Sequence, residues 1–156
     1  MTASWPRLVR ALTGLAGDRE RAEDALQDAL VDALKPGAIG GMERADAWLY
    51  VVASRRLHRN RSRATLESAF SFLRGGSAPP PSVDRVATLE LLNGLSRRQR
   101  EIVIARFYLD LSYAEIASHF GISVGTATAT VTQSLRKIRS RLAEHPEELK
   151  AWKTGI

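Results

Sequence analysis

Apolar residues recur at helical spacing through nearly every ordered stretch of this 156-residue chain. The clearest stripe is unbroken and consists of Ala22, Ala25, Leu26, Ala29, Leu30, Ala33 and Leu34. Side chains three and four positions apart share one face of an α-helix, whereas a strand would require alternating polar and apolar residues. No alternating run competes with the helical pattern. The chain is therefore predicted to be all-α.

One short segment interrupts this pattern and predicts two separate helical bundles. Residues 75–81 read Gly-Gly-Ser-Ala-Pro-Pro-Pro, in which the glycines favour flexibility and the prolines favour extension. We therefore expect two small helical bundles joined by a flexible linker. The expected boundaries are 1–65 for the first domain, 66–82 for the linker, 83–143 for the second domain and 144–156 for a tail.

The charge of the chain favours a polyanionic partner. The net charge is +6, from 23 Lys and Arg against 17 Asp and Glu. The absence of cysteine excludes a disulfide framework, a thiol nucleophile and a cysteine-ligated zinc site. No segment approaches the roughly 18 apolar residues of a membrane span, and the start of the chain lacks the apolar run of a signal peptide. We expect a cytoplasmic protein with no membrane span.

Residues 112–139 have the spacing of a helix-turn-helix. Ser112 and Glu115 match the capping box, in which two side chains satisfy backbone donors at a helix start. Ala117 supplies a small residue where two helices cross, and Gly121 tolerates the positive φ of a tight turn. In such a unit the second helix lies in the major groove of DNA. The second bundle is therefore predicted to contain a helix-turn-helix.

The predicted outer face of the second helix carries hydroxyl, amide and guanidinium groups and no acid. Such groups can bond base edges and phosphates, whereas a face that only meets water usually includes Glu and Asp. An αα-hairpin that merely packs is the alternative interpretation. The face consists of Thr126, Thr128, Thr130, Thr132, Gln133, Arg136 and Arg139.

The first domain divides its charge between two helices. Residues 18–32 contain six acids and two arginines, whereas residues 55–63 contain five arginines and no acid. An acidic helix fits a basic protein surface, and the arginines can neutralise phosphates. The alternative for Glu23, Asp24 and Asp28 is a solvated face stabilised near the helix N-terminus. These acids lack a convergent histidine or a second carboxylate group, so we expect no metal site and no cofactor.

We expect different environments for two aromatic residues of the third predicted helix. Trp48 lies on the apolar stripe of that helix and is expected in the core. Tyr50 falls off the stripe, so it is a candidate for stacking on an unpaired base.

Several blocks of the sequence resemble the sigma factors of RNA polymerase, in the order of that family. Residues 22–28 (AEDALQD) are similar to the polymerase-binding helix of sigma region 2, and residues 47–50 (AWLY) to the start of its promoter-melting helix. Residues 95–101 (LSRRQRE) and 111–117 (LSYAEIA), with Val124-Gly125-Thr126, resemble region 4 of the extracytoplasmic-function group. The likeness covers about residues 7–63 and 84–143.

This resemblance implies a regulatory protein that directs polymerase to promoters and has no catalytic residues of its own. Contacts with the β′ clamp helices of core RNA polymerase would come from Glu23, Asp24, Gln27 and Asp28. The loop 35–46 and the helix after it would hold the −10 element of promoter DNA, through Ile39, Trp48, Tyr50, Arg55, Arg56, Arg59 and Arg63. The −35 element would be read by Arg106, Thr126, Thr128, Ala129, Thr132, Gln133 and Arg136. The apolar side of region 4 would dock on the β flap, and an anti-sigma factor is a further expected partner.

Two other functions fit parts of the sequence. A helix-turn-helix repressor or activator would bind duplex operator DNA without polymerase, whereas a sigma factor should bind promoters well only with the core enzyme. An enzyme acting on DNA would need a nucleophile or paired carboxylates aimed at a phosphate. The candidates Ser62, Tyr50 and the Glu23–Asp28 cluster lack a supporting constellation.

Overall fold

The computed structural model describes residues 4–72 and 91–144, and the side chains of residues 5–59 and 91–144. These residues form helices and contain no strand, which confirms the all-α prediction. The helices are α1 (Ser4–Ala16), α2 (Arg19–Ala33), α3 (Ala45–Phe72), α4 (Arg97–Phe107), α5 (Tyr113–Phe120) and α6 (Val124–Glu144). Residues 91–93 are helical as well.

The first bundle consists of α1, α2 and α3, which all pack against one another. Asp18 caps α2, because its carboxylate accepts hydrogen bonds from the backbone N–H groups of Glu20 and Arg21, both at 3.3 Å. The buried stripe of α2 consists of three alanines and one leucine, and Ala22 and Leu26 are fully buried. Small residues on this stripe let the helix axes approach closely while the leucine fills the space between them.

The second bundle contains the predicted helix-turn-helix. The Ser112 hydroxyl accepts from the Glu115 backbone N–H at 3.2 Å, and the Glu115 carboxylate accepts from the Ser112 N–H at 2.7 Å. This capping box starts α5, and Gly121 ends it in the left-handed conformation with φ +65°. Ile116 of α5 and Ala127 of α6 are fully buried where the two helices meet. Both local predictions, the capping box and the positive φ of Gly121, are confirmed.

The two bundles are docked on each other and share one apolar core. Helix α1 contacts α4, and α3 contacts α5. The approach of α1 to α4 depends on Gly14, because a Cβ at this position would lie 3.3 Å from Cδ1 of Ile104. Across the same seam the hydroxyl of Tyr50 donates to the Glu101 carbonyl oxygen at 3.0 Å. The two predicted bundles are therefore packed together along α1 and α3.

The third helix extends further than the sequence indicates. Helix α3 ends at Phe72, so residues 66–72 of the expected linker are helical. The rest of that linker and the tail after residue 144 lie outside the described residues, and so does the side chain of Arg63. Within the described ranges, no helix combines the length and apolar character that crossing a bilayer requires.

Replacing Gly121 by alanine should lower the free energy of unfolding by about 1–2 kcal/mol, because a left-handed backbone costs a residue with a Cβ that much. No atom beyond the neighbouring residues lies within 4 Å of the added Cβ, so the loss would come from the backbone alone. Gly125→Ala in the first turn of α6 is the matched control, and it should raise stability by up to about 1 kcal/mol. The midpoints of urea unfolding measure both effects. Equal midpoints for the two variants would contradict the claim that the left-handed backbone at position 121 requires glycine.

Candidate functional site

One face of α2 combines acidic, amide and apolar side chains. Asp24, Gln27 and Asp28 are all exposed. Val31, one turn further along the same side, is 61% exposed. Sequence reasoning missed Val31, although its spacing of three and seven residues from Asp28 and Asp24 could have indicated it. These four residues are called the α2 face below.

The end of α2 contains one wrong prediction. Leu34 was expected in the buried stripe of α2, yet it is 79% exposed. The physical reason is its position, because Leu34 is the C-cap that follows the last helical turn. Together with Val31, it extends the apolar surface beside the acids of α2.

Other acids of α2 are neutralised within the first bundle. Glu23 is half-buried and accepts a hydrogen bond from Arg19 Nε at 2.6 Å. Asp32 is paired with Lys35 at 2.6 Å and with the guanidinium of Arg56. Hydrogen bonds from Lys35 and then Arg56 hold the pKa of Asp32 below its ordinary value. Fewer acids of α2 are therefore available to an external partner than its composition indicates.

The arginines that follow on α3 divide into two groups. Arg56 turns towards α2, where it also lies 3.5 Å from Asp28, so it links two helices of the first bundle. Arg55 and Arg59 are exposed and remain available to an external anion. The side chain of Arg63 belongs to the part of the chain whose side chains are not described.

The burial expected for the two aromatic residues of α3 is reversed. Trp48 is only half-buried, so its assignment to the core is wrong. Tyr50, which was expected to be free for stacking, has no exposed surface. The reason is that α3 packs against the first bundle on one side and against the second bundle on the other. Burial, together with the nearby Glu101, raises the pKa of Tyr50 well above its ordinary value.

Arg44, at the end of the α2–α3 loop, joins the two bundles. Its guanidinium donates to both carboxylate oxygens of Asp46 at 3.0 Å, which holds the pKa of Asp46 below its ordinary value. It also donates to Glu115 at 3.1 Å and to the Leu109 carbonyl at 3.2 Å. Sequence reasoning missed this residue, because no local pattern distinguishes a lone loop arginine that bonds across 65 and 71 positions.

An open cleft of about 420 Å³ lies between α3 and α5 beside Arg44. The lining includes Trp48 and Arg55 from the first bundle and Ser118 and His119 from the second. Arg55 Nη2 also lies 3.4 Å from the carbonyl oxygen of His119. Ile39, in the preceding loop, is half-buried. The candidate −10 residues that are described are therefore spread over a region that the second bundle partly covers.

The outer face of α6 is exposed and carries no acid before Glu144. The predicted reading residues on it, all exposed, are Thr126, Thr128, Ala129, Thr132, Gln133 and Arg136. Thr128 Oγ1 donates to the Val124 carbonyl at 2.9 Å, and Thr132 Oγ1 donates to the Thr128 carbonyl at 3.0 Å. With the proton engaged by the helix, each hydroxyl offers an acceptor and a methyl group to a DNA base.

Arg106, the remaining candidate for the −35 element, is partly engaged inside its own bundle. Its guanidinium lies 5.1 Å from the ring centroid of Tyr113 and donates to the Leu111 carbonyl at 3.3 Å. It is half-buried at the end of α4. Among the residues that the structure describes, no cluster of three or more His, Cys, Asp or Glu could hold a metal ion.

Comparison with known proteins identifies the family. Residues 85–138 match the family model for sigma-70 region 4. The ECF RNA polymerase sigma factor SigL of Mycobacterium tuberculosis is 30% identical over 140 residues, which span 83% of this chain and 79% of SigL. The RNA polymerase sigma-E factor of Streptomyces avermitilis is 29% identical over 149 residues, 92% of this chain and 83% of that protein.

A solved structure agrees with both the sequence relatives and the fold. The sigma factor RpoE of Bartonella quintana, solved in complex with the anti-sigma factor NepR, superposes with a TM-score of 0.72 and 26% identity. The match covers 91% of this chain and 93% of RpoE. The resemblance to extracytoplasmic-function sigma factors, inferred from the sequence blocks between residues 22 and 126, is thus confirmed. The chain belongs to the extracytoplasmic-function sigma factors, the regulatory proteins that direct transcription initiation by RNA polymerase.

Proposed function

We propose that this sigma factor binds core polymerase through the α2 face, the −10 element through α3 and its preceding loop, and the −35 element through α6. In this division residues 1–65 act as region 2 and residues 83–143 as region 4. The single observation that carries the proposal is the separation of exposed chemistry. One face bears exposed carboxylates beside apolar groups, and the other bears hydroxyl, amide and guanidinium groups without acid.

The α2 face fits a basic protein surface better than it fits DNA. Asp24 and Asp28 would repel phosphates, whereas exposed Val31 adds apolar area that a protein partner can bury. The proposed partner is the coiled-coil clamp of the β′ subunit. Glu23, bonded to Arg19, would border this contact and not lie at its centre.

The α6 face fits the major groove. The helix follows the tight turn at Gly121, and in helix-turn-helix proteins the helix after this turn enters the groove with its N-terminal residues near the bases. Thr128 and Thr132 would accept from an adenine or cytosine amino group or touch a thymine methyl. Gln133 and Arg136, both exposed on α6, supply donors for bases or phosphates. Arg106 would reach the backbone of the DNA from the rim.

The region around the cleft would hold the −10 element. Arg55 and Arg59 supply positive charge for phosphates, and Trp48 supplies an aromatic face for an unpaired base. Promoter opening then follows from differential binding, because a protein that binds the single strand shifts the duplex towards the open form. The chemistry of RNA synthesis stays with the polymerase, so the chain itself is proposed to be non-enzymatic.

Two further partners belong to this proposal. The apolar side of the second bundle, with Phe107 54% exposed at the end of α4, would dock on the β flap of polymerase. The related RpoE was solved with the anti-sigma factor NepR. By that likeness we propose that an anti-sigma protein of this kind also regulates the present chain.

Removing the polar groups of the α2 face should weaken binding to core polymerase. Asp24→Ala with Gln27→Ala deletes one carboxylate and one amide that have no intramolecular partner among the described residues, so the fold should persist. We expect at least a tenfold rise in Kd, equivalent to about 1.4 kcal/mol. Fluorescence anisotropy with labelled protein and purified core enzyme measures this.

Glu144→Ala is the control for the α2 prediction. It removes an exposed acid from the far end of α6, outside all three proposed contacts. Its Kd should equal that of the unsubstituted chain. If the double variant also binds core polymerase with unchanged affinity, the assignment of the α2 face is wrong.

Thr132→Ala or Gln133→Ala should cost about 1–3 kcal/mol of promoter binding at the −35 element. The matched control is Thr130→Ala, which deletes a hydroxyl that donates to the Thr126 carbonyl at 2.8 Å but sits half-buried outside the reading set. In vitro transcription with core polymerase on a promoter library, with intact and scrambled −35 sequences, measures the effect. Losses that are the same on intact and scrambled sequences would mean that neither residue reads a base. Promoter binding by the protein without polymerase would instead support a repressor.

A further inference from the structure

The outer face of α6 changes its chemistry along the helix. Its first three turns expose mainly threonine, alanine and valine, whereas the long donor side chains of glutamine and arginine follow. Val124, in the first turn, keeps 50% of its surface exposed. Residues four apart lie on one side of a helix, so Val124, Thr128 and Thr132 follow one another along it. These three residues together with Ala129, all exposed, are called the methyl surface below.

The hydroxyl groups of the methyl surface are engaged by the helix itself. Thr128 Oγ1 donates to the Val124 carbonyl at 2.9 Å, and Thr132 Oγ1 donates to the Thr128 carbonyl at 3.0 Å. A threonine hydroxyl has one proton, so neither residue can donate to a base without breaking its bond to the helix. The methyl groups of both residues can contact a base while these bonds remain.

This chemistry discriminates among the base edges of the major groove. Guanine presents only acceptors there, and these need the donors that the methyl surface lacks. Adenine and cytosine present an amino group, which a threonine oxygen can accept but Val124 and Ala129 cannot. Thymine presents a C5 methyl group, and contact with it needs no hydrogen bond. Thymine is thus the base that every residue of the methyl surface can contact.

The length of the methyl surface fits neighbouring base pairs. A rise of about 1.5 Å per residue separates Thr128 from Thr132 by about 6 Å along the helix axis. Successive nucleotides of one DNA strand are spaced by about 3.4 Å along the duplex. With α6 along the groove, the two threonines therefore face base pairs about two steps apart. A surface of this length fits a run of two or more thymines.

The surroundings of the methyl surface favour duplex DNA over an apolar protein partner. No acid lies on α6 before Glu144, and exposed Arg136 follows Thr132 by one turn. A guanidinium at that position can bind a phosphate and fix the register of the helix on the duplex. The methyl surface also lies within residues 85–138, which match sigma-70 region 4.

We propose that the methyl surface is the specificity determinant of the −35 contact and that it reads the C5 methyl groups of consecutive thymines. This role depends on the assignment of α6 to the −35 element in the proposed function, and it adds the base and the atom that are read. It also has a consequence for modified DNA. Because 5-methylcytosine bears the same C5 methyl group, it can replace thymine at these positions, whereas cytosine cannot.

The DNA side of the contact is tested by removing single methyl groups. Each thymine in the −35 element of a promoter selected from the library is replaced by deoxyuridine, which lacks only the C5 methyl group. At the thymines that face the methyl surface, the Kd of the complete holoenzyme should rise about fourfold per methyl group, equivalent to about 0.8 kcal/mol. Fluorescence anisotropy of the labelled promoter measures this. Deoxyuridine in the DNA between the −35 and −10 elements is the control and should leave the Kd unchanged.

Adding a methyl group is the converse experiment. Cytosine at the same −35 positions should weaken binding of the holoenzyme. Replacing that cytosine by 5-methylcytosine should tighten binding about fourfold, because the C5 methyl group is restored. Equal affinity for cytosine and 5-methylcytosine at every −35 position would contradict the methyl contact.

Two changes of similar volume at Thr132 separate its methyl group from its hydroxyl. Thr132→Ser removes the methyl group and should weaken binding about fourfold on the thymine promoter, with no further loss on the deoxyuridine promoter. Thr132→Val keeps a methyl group at the same carbon, removes the hydroxyl and should bind at least as tightly as the unsubstituted protein. Thr130→Ser is the matched control, because Thr130 is half-buried outside the methyl surface, and it should leave both affinities unchanged.

The outcomes separate this inference from the proposed function. If the holoenzyme prefers intact over scrambled −35 sequences but binds thymine and deoxyuridine promoters equally, the methyl contact is wrong and the assignment of α6 stands. Weaker binding by Thr132→Val, with Thr132→Ser unchanged, would assign the hydroxyl to an amino group of the DNA and would likewise overturn the methyl contact. A holoenzyme that binds intact and scrambled −35 sequences equally would contradict the assignment of α6 itself.

Discussion

The arrangement of the molecule depends on the burial of Tyr50. A phenol that loses contact with water needs a partner for its hydroxyl, because an unpaired buried donor costs about 1–3 kcal/mol. The Glu101 carbonyl is that partner, although it lies 51 positions away on another bundle. Glu101 is itself buried, and its carboxylate pairs with Arg97 at 2.6 Å. Tyr50 therefore ties α3 to α4 through a residue that is already held in place.

This long-range contact explains which sequence predictions succeed and which fail. The capping box at Ser112 and the turn at Gly121 depend on residues within one or two turns, so they can be predicted locally. The burial of Trp48 and Tyr50 could not, because helical period identifies only one apolar face and α3 packs on two sides. The burial predicted for Leu34 is wrong for a different reason, because the apolar stripe continues past Ala33, the last residue of the helix. The sequence predicts where a capped helix begins, whereas it does not predict which other helices each face packs against.

The distribution of charge can likewise be predicted along the sequence, whereas the partner of each charged side chain cannot. Composition correctly places the acids on α2 and the arginines on α3. The functions proposed for the first bundle depend on this division. Composition does not indicate that Arg56 pairs with Asp32 of α2, whereas its neighbour Arg55 contacts the second bundle. Consecutive residues on a helix point about 100° apart, so a cluster of arginines in sequence becomes several surfaces in space. Among the arginines of this cluster whose side chains the structure describes, Arg55 and Arg59 are exposed and remain candidates for phosphate contacts.

The seam between the two bundles has an apolar centre and a polar edge. An obligate interface would be large and mostly apolar, whereas contacts between domains that move are more polar. Here the edge consists of arginine bonds to carbonyls, and Arg7 and Asp110 keep 44% and 76% of their side chains exposed. Water can replace these hydrogen bonds on opening, so their net contribution is small, as for other exposed ion pairs. The apolar centre around Tyr50 therefore contributes more to the docked arrangement than the solvated edge does.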